Sequence, residues 1–159
     1  MARSRSLIGL GLICLACSAL SPLVHADDSP ATRPADGAAD PLAEARARIA
    51  QRDWAAAIRE LQALKATESA DWNNLMGYSH RKLASPDLAA AQRYYDAALR
   101  LDPKHRGALE YSGELYLMLG QPALAEQRLA TLDKLCFLPC EEYTDLKNAI
   151  ARYKAGGRR

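Results

Sequence analysis

Cys136 and Cys140 are the residues with the clearest capacity for chemistry, because two thiols four positions apart can form a disulfide, hold a metal or exchange electrons. Phe137, Leu138 and Pro139 separate them, and the break at the proline lets the chain fold back. No histidine follows Cys140, and the Cys-x3-Cys spacing matches Cys-x2-Cys redox motifs poorly. The pattern favours a structural disulfide, and it leaves a metal or haem site and a redox-active pair as open alternatives.

Catalytic residue patterns are scarce in the rest of the chain. After residue 26 there are two histidines, His80 and His105, and we find neither a Gly-x-Ser-x-Gly elbow, nor a phosphate loop, nor a His-Glu-x-x-His pair. His80 is expected to be a packing or rim residue. Glu141 and Glu142 are adjacent and would point to different faces of a helix, where they suit its positive N-terminal end. We therefore expect no enzyme, no cofactor and no metal.

Residues 1–26 have the features of a secretory signal peptide. Arg3 and Arg5 precede an apolar run from Leu7 to Leu20 that contains no charged residue, and small residues then lead to Ala26. The run is shorter than the roughly 20 apolar residues that a membrane span needs, so we expect cleavage after Ala26 and no membrane insertion afterwards. An uncleaved anchor and a lipoprotein signal are the alternatives, although Cys14 stands where a lipobox has an aliphatic residue.

Loss of the signal would balance the charge of the chain. The precursor has 21 basic and 19 acidic residues, and removal of Arg3 and Arg5 leaves 19 of each. A neutral chain without a clustered basic face argues against a nucleic-acid partner. Residues 27–39 contain two prolines and no large apolar side chain, which predicts a disordered linker, and residues 155–159 are predicted to be a flexible tail. Export, with the periplasm as the expected compartment, would place the cysteines in an oxidising environment.

Residues 40–154 have the apolar spacing of an all-α domain. A polar residue followed by proline recurs at Asp40-Pro41, Ser85-Pro86, Asp102-Pro103 and Gln121-Pro122, which predicts a cap and a first helical residue at each place. The predicted helix pairs are Pro41–Gln51 with Trp54–Lys65, Asp71–Leu83 with Pro86–Leu101, and Pro103–Leu119 with Pro122–Leu135, followed by a last helix, Glu141–Lys154.

The stretch from Trp72 to Leu135 repeats an order of small and large residues. Gly113 is followed three residues later by Tyr116 and twelve residues later by Ala125, and the preceding copy has Gly77, Ala91 and Tyr95 with an interval two residues longer. This order resembles the tetratricopeptide (TPR) repeat, W-x2-L-G-x2-Y, then A-x3-F, then P. The resemblance implies a right-handed α-solenoid of three helical hairpins at about 40–69, 70–105 and 106–139, closed by a capping helix at 140–154. In such hairpins Gly77 would approach the surroundings of Ala91, and Gly113 those of Ala125.

The resemblance also implies a protein-binding groove, because first helices of successive TPR repeats line a concave surface that takes a peptide or a helix. The expected partner-binding residues combine basic side chains in the second repeat with acidic ones in the third, and the first repeat contributes Arg46. The full set is Arg46, Asn74, Tyr78, Arg81, Lys82, Glu110, Glu114, Leu117 and Met118. Glu110 and Glu114 stand where some members have residues that clamp a terminal carboxylate, so we expect an internal or helical segment to bind. Substitutions on this surface are expected to cost little stability.

The resulting hypothesis is an exported adaptor or assembly factor of a Gram-negative cell envelope, expected to be monomeric. The alternative is a redox or metal-handling accessory protein that uses Cys136 and Cys140, since TPR modules occur beside cytochrome-assembly machinery. A self-associating structural module is a third possibility.

Overall fold

The computed structural model describes residues 40–156, which form seven α-helices and, within that range, no β-strand. The helices are α1 Ala43–Ala50, α2 Trp54–Leu64, α3 Ala70–Lys82, α4 Leu88–Leu101, α5 Arg106–Met118, α6 Pro122–Leu135 and α7 Glu141–Lys154. The predicted all-α class is therefore confirmed. The predicted signal peptide (1–26), the predicted linker (27–39) and the last three residues of the predicted tail lie outside the described residues.

The helix starts predicted from proline are wrong for α1, α4 and α5, which begin two or three residues later. Before α5, Asp102 and Pro103 form a turn in which the Asp102 side chain accepts from Lys104 N–H and its carbonyl accepts from His105 N–H. His105 then caps the helix, because its Nδ1 accepts from Ala108 N–H at 3.1 Å. Proline fits the second position of a turn as well as the first position of a helix, so its sequence position alone does not distinguish them. Similar shifts place the start of α1 at Ala43, after Asp40-Pro41, and the start of α4 at Leu88, after the cap Asp87.

Neighbouring helices pack against each other in sequence order. α1 packs on α2, α3 on α4 and α5 on α6, while α3 also contacts α1 and α5, and α7 contacts both α5 and α6. One apolar cluster is centred on Leu61, Trp72 and Met76, and a second on Leu109, Leu132 and Leu146. Each helix pair thus buries apolar residues against its neighbours, which is the main stabilising term of such a fold. The right-handed solenoid of TPR-like hairpins stays a prediction.

Two helical glycines allow large side chains to approach the backbone closely. A Cβ atom at Gly77 would lie 2.7 Å from Tyr95 Cε1, which is on α4 as expected. A Cβ atom at Gly113 would lie 2.6 Å from Leu146 Cδ1, so the side chain closest to this glycine comes from α7. The expected approach of Gly113 to the surroundings of Ala125 stays a prediction, because the three atoms nearest to this Cβ position all belong to Leu146. The absence of a Cβ atom at Gly113 allows Leu146 of α7 to pack closely against the backbone of α5.

Candidate functional site

Arg81 on α3 is the centre of a polar cluster between α3 and α5. Arg81 is only 6% exposed, and its Nη2 lies 2.7 Å from Glu114 Oε2. Its Nε donates to Tyr95 Oη at 3.3 Å, and its guanidinium carbon lies 5.5 Å and 5.6 Å from the ring centroids of Tyr78 and Tyr111. One predicted basic residue of the second repeat, Arg81, therefore forms an ion pair within the fold with one predicted acidic residue of the third, Glu114.

The electrostatics of this cluster keep Arg81 charged and its tyrosines neutral. Burial opposes the charge of Arg81, yet its pKa is raised because its interactions with Tyr95 and Glu114 outweigh the loss of hydration. Burial raises the pKa of Tyr95 well above its usual range and, with the nearby Glu110 charge, raises the pKa of Tyr111 to about 12. The phenols are therefore positioned to stabilise a guanidinium and not to act as bases near neutral pH.

Glu110 and Asn74 are two further predicted partner-binding residues that the fold buries, each 7% exposed. Burial raises the pKa of Glu110 to about 8, and repulsion from Glu114, Asp145 and Glu142 adds to this effect. The Oδ1 atom of Asn74 has no hydrogen-bond partner among the described residues. The fold buries Asn74, Arg81, Glu110 and Leu117, so these four are not surface residues and substitutions there are now expected to cost more stability.

Arg46 does not belong to this cluster. Its Nε lies 3.2 Å from Asp40 Oδ2 and its Nη2 lies 3.8 Å from Asp71 Oδ2. Asp71 Oδ1 in turn lies 3.0 Å from His105 Nε2. Arg46 therefore takes part in a separate, exposed charge network at the start of α1 and α3, and the predicted set is divided between two places.

A cleft of about 660 Å³ lies beside the Arg81 cluster, between the last turns of α3, α5 and α7. Five of the nine predicted partner-binding residues line it: Arg81, Lys82, Glu114, Leu117 and Met118. The remaining lining residues, Ala149, Arg152, Tyr153 and Ala155, come from α7 and its C-cap and were not predicted. The spacing of Tyr143, Leu146 and Ile150, which repeats that of a first repeat helix, was the signal that α7 could share this surface.

Cys136 and Cys140 lie at disulfide distance, with their Cα atoms 5.8 Å apart, as predicted. They connect the end of α6 to the first residue before α7. Phe137 and Leu138, between them, are 101% and 73% exposed. Within residues 40–156, no group of three or more histidine, cysteine or acidic residues could hold a metal ion. A disulfide between the two cysteines closes a small loop that holds the side chains of Phe137 and Leu138 in solvent.

Comparison of the chain with family models, curated proteins and solved structures found no match. In the described part of the chain, no helix combines the length and the apolar character needed to cross a bilayer. The TPR resemblance therefore remains a prediction.

Proposed function

We propose that this protein is an exported adaptor that binds a segment of a cell-envelope protein in the cleft formed by α3, α5 and α7. The observation that carries this proposal is the cleft itself, because it brings five residues predicted from a repeat pattern into one concave site. Its volume of about 660 Å³ would hold only a few side chains of such a segment, because pockets of roughly 300–1,000 Å³ enclose ligands of small-molecule size.

The composition of the cleft favours binding over catalysis. Its lining residues include no histidine, serine or cysteine, and its one carboxylate, Glu114, is held by Arg81. Among these nine lining residues there is therefore no serine or cysteine nucleophile beside a histidine base. Met118, which is exposed, and Tyr153, which is half-buried, instead offer apolar area that a partner can cover.

The proposal is tested by photo-crosslinking in the native cell. A benzophenone amino acid at Met118, which is 39% exposed at the cleft, should give a covalent adduct of discrete mass with one partner. The matched control is the same amino acid at Arg59, an exposed position on α2 outside the cleft. Equal adducts from both positions, or an adduct from Arg59 alone, would move the binding site away from the cleft.

A second candidate function is a thiol-based accessory role, which the half-exposed Cys136–Cys140 pair and its projecting loop favour. A structural disulfide that closes so short a loop stabilises by about 2 kcal/mol in the entropic model. We therefore expect the double variant Cys136→Ser, Cys140→Ser to fold, to melt at lower temperature and to keep its Met118 adduct. Two free reactive thiols in the native protein, or loss of the adduct with an unchanged melting temperature, would favour the accessory role.

A further inference from the structure

The charged side chains that line the cleft are not balanced. Three cations, Arg81, Lys82 and Arg152, face one carboxylate, Glu114, which is already engaged by Arg81 at 2.7 Å. The excess positive charge therefore lies on Lys82 and Arg152, both of them exposed. Within residues 40–156 neither has an ion-pair partner, and Lys82 Nζ lies 5.6 Å from the ring centroid of Tyr78.

The helix ends around the cleft reduce this positive charge only in part. The C-terminus of a helix carries partial negative charge on its free carbonyl groups, and α3, α5 and α7 all end here. Each end has carbonyls that accept hydrogen bonds: His80 O from Asp87 N–H, Leu117 O from Gly120 N–H, and Tyr153 O from Gly156 N–H. The formal charges of Lys82 and Arg152, at the tips of long side chains, remain available to a ligand.

Apolar side chains accompany these two cations. Met118 is 39% exposed in the cleft, and Leu119, the next residue, is 36% exposed. Leu117, Ala149 and Tyr153 contribute further apolar lining. A ligand that uses the whole lining must therefore combine negative charge with aliphatic groups.

We propose that the occupant of the cleft is an acidic segment of a protein partner that presents aspartate or glutamate to Lys82 and Arg152 and aliphatic side chains to Met118. This inference rests on the proposed function and adds the chemistry of the partner to it. A basic segment would place like charges against Lys82 and Arg152, which opposes association. A wholly apolar segment would leave both cations to lose water without compensation.

The test is a selection of random peptides displayed on phage against the purified protein, followed by titration of the selected peptides by fluorescence anisotropy. Three variants are compared: Lys82→Glu with Arg152→Glu, the neutral pair Lys82→Gln with Arg152→Gln, and a control pair Lys104→Glu with Lys147→Glu. The control makes the same change of net charge at exposed positions outside the cleft. Melting curves by circular dichroism establish that each variant is folded.

We expect selected peptides to be rich in Asp, Glu, Leu and Met, and their affinity to fall about tenfold or more in the charge-reversed variant, less in the neutral one and little in the control. Affinity should also fall as salt is raised. Peptides that crosslink to Met118 without acidic enrichment would overturn this inference and leave the proposed function standing. Acidic peptides that bind all variants equally would overturn it as well. A selection without any peptide at the cleft would contradict both.

Discussion

Arg81 shows how a residue that suggests a binding surface in sequence can be part of the packing. Its guanidinium is removed from water, so its stability depends on Glu114, the Tyr95 hydroxyl and the faces of two tyrosine rings. Removing one partner of such a pair leaves the other charge unpaired. The side chain is therefore expected to contribute to folding first, and to binding only by neutralising Glu114 at the cleft.

The first prediction concerns Arg81→Ala, which should lower the free energy of unfolding by about 3 to 5 kcal/mol because it leaves the partly buried Glu114 carboxylate without its cation. The neighbouring Lys82→Ala is the control, since Lys82 is exposed and should change stability by no more than about 0.5 kcal/mol. Urea denaturation of both variants measures the difference. Similar values for the two variants would mean that the Arg81 cluster adds no stability.

The second prediction concerns the pH dependence that Glu110 introduces. Its pKa is raised from 4.5 to about 8 in the fold, so between these values the folded chain holds a proton that the unfolded chain has released. Its contribution to stability is therefore complete below about pH 4.5 and is lost as pH rises to about 8, with a slope of up to about 1.4 kcal/mol per pH unit.

Glu110→Gln should remove this dependence because its side chain does not titrate. Denaturation at a series of pH values between 5 and 9, for both proteins, isolates the effect of this group from that of other carboxylates. Parallel stability profiles would show that the buried carboxyl group keeps an ordinary pKa.

At the scale of the helix, α1 and α5 end in the same way but with different residues. After α5, Gly120 has φ 73°, and Gly120 N–H and Gln121 N–H donate to the carbonyls of Leu117 and Tyr116. After α1, Arg52 has φ 60°. Its N–H and that of the next residue, Asp53, donate to the carbonyls of Ile49 and Arg48. Both ends have the hydrogen bonds of a Schellman motif, in which the left-handed position favours glycine.

The third prediction is that Arg52→Gly stabilises the protein by about 1 kcal/mol, because a residue with a Cβ is strained in the left-handed region and glycine is not. Gln51→Gly is the matched control. Gln51 has an ordinary helical φ of −78°, so glycine there should destabilise instead. Thermal unfolding of the two variants should shift in opposite directions, and a destabilised Arg52→Gly variant would contradict the assignment of strain.

At the scale of the whole molecule, α7 both covers the apolar end of the α5–α6 pair and supplies a wall of the cleft. Leu146 is fully buried and reaches the backbone of α5 at Gly113, while Arg152 and Tyr153 face the cleft one to two turns later. The position of this helix should therefore affect stability and binding together.

The fourth prediction tests the contact between Gly113 on α5 and Leu146 on α7 with a double-mutant cycle. Gly113→Ala should cost about 1 to 3 kcal/mol through crowding against Leu146, and Leu146→Ala about 2 to 5 kcal/mol through the cavity it leaves. The double variant should be less destabilised than the sum, because the new methyl group occupies part of that cavity. Additive losses of unfolding free energy would show that the two residues are not coupled.

The sequence alone determined the elements of this fold, because capping and helical periodicity depend on residues a few positions apart. It predicted α7 with the bounds Glu141–Lys154 and the pairing of Cys136 with Cys140. The prolines led us to predict three helix starts two or three residues too early. The reason is local, because a β-turn and the first turn of a helix accept the same proline geometry.

The tertiary structure decided which side of each helix faces a partner. Arg81 and Glu110 look like solvated charges in sequence, and their burial follows from side chains brought together from distant positions: Tyr111 and Glu114 around Arg81, and Asp145 around Glu110. Arg152 lines the cleft because α7 packs against α5 and α6, and this contact cannot be read from the sequence. The cost of removing a charge from water depends on all its neighbours in space, and those neighbours exist only once the helices have packed.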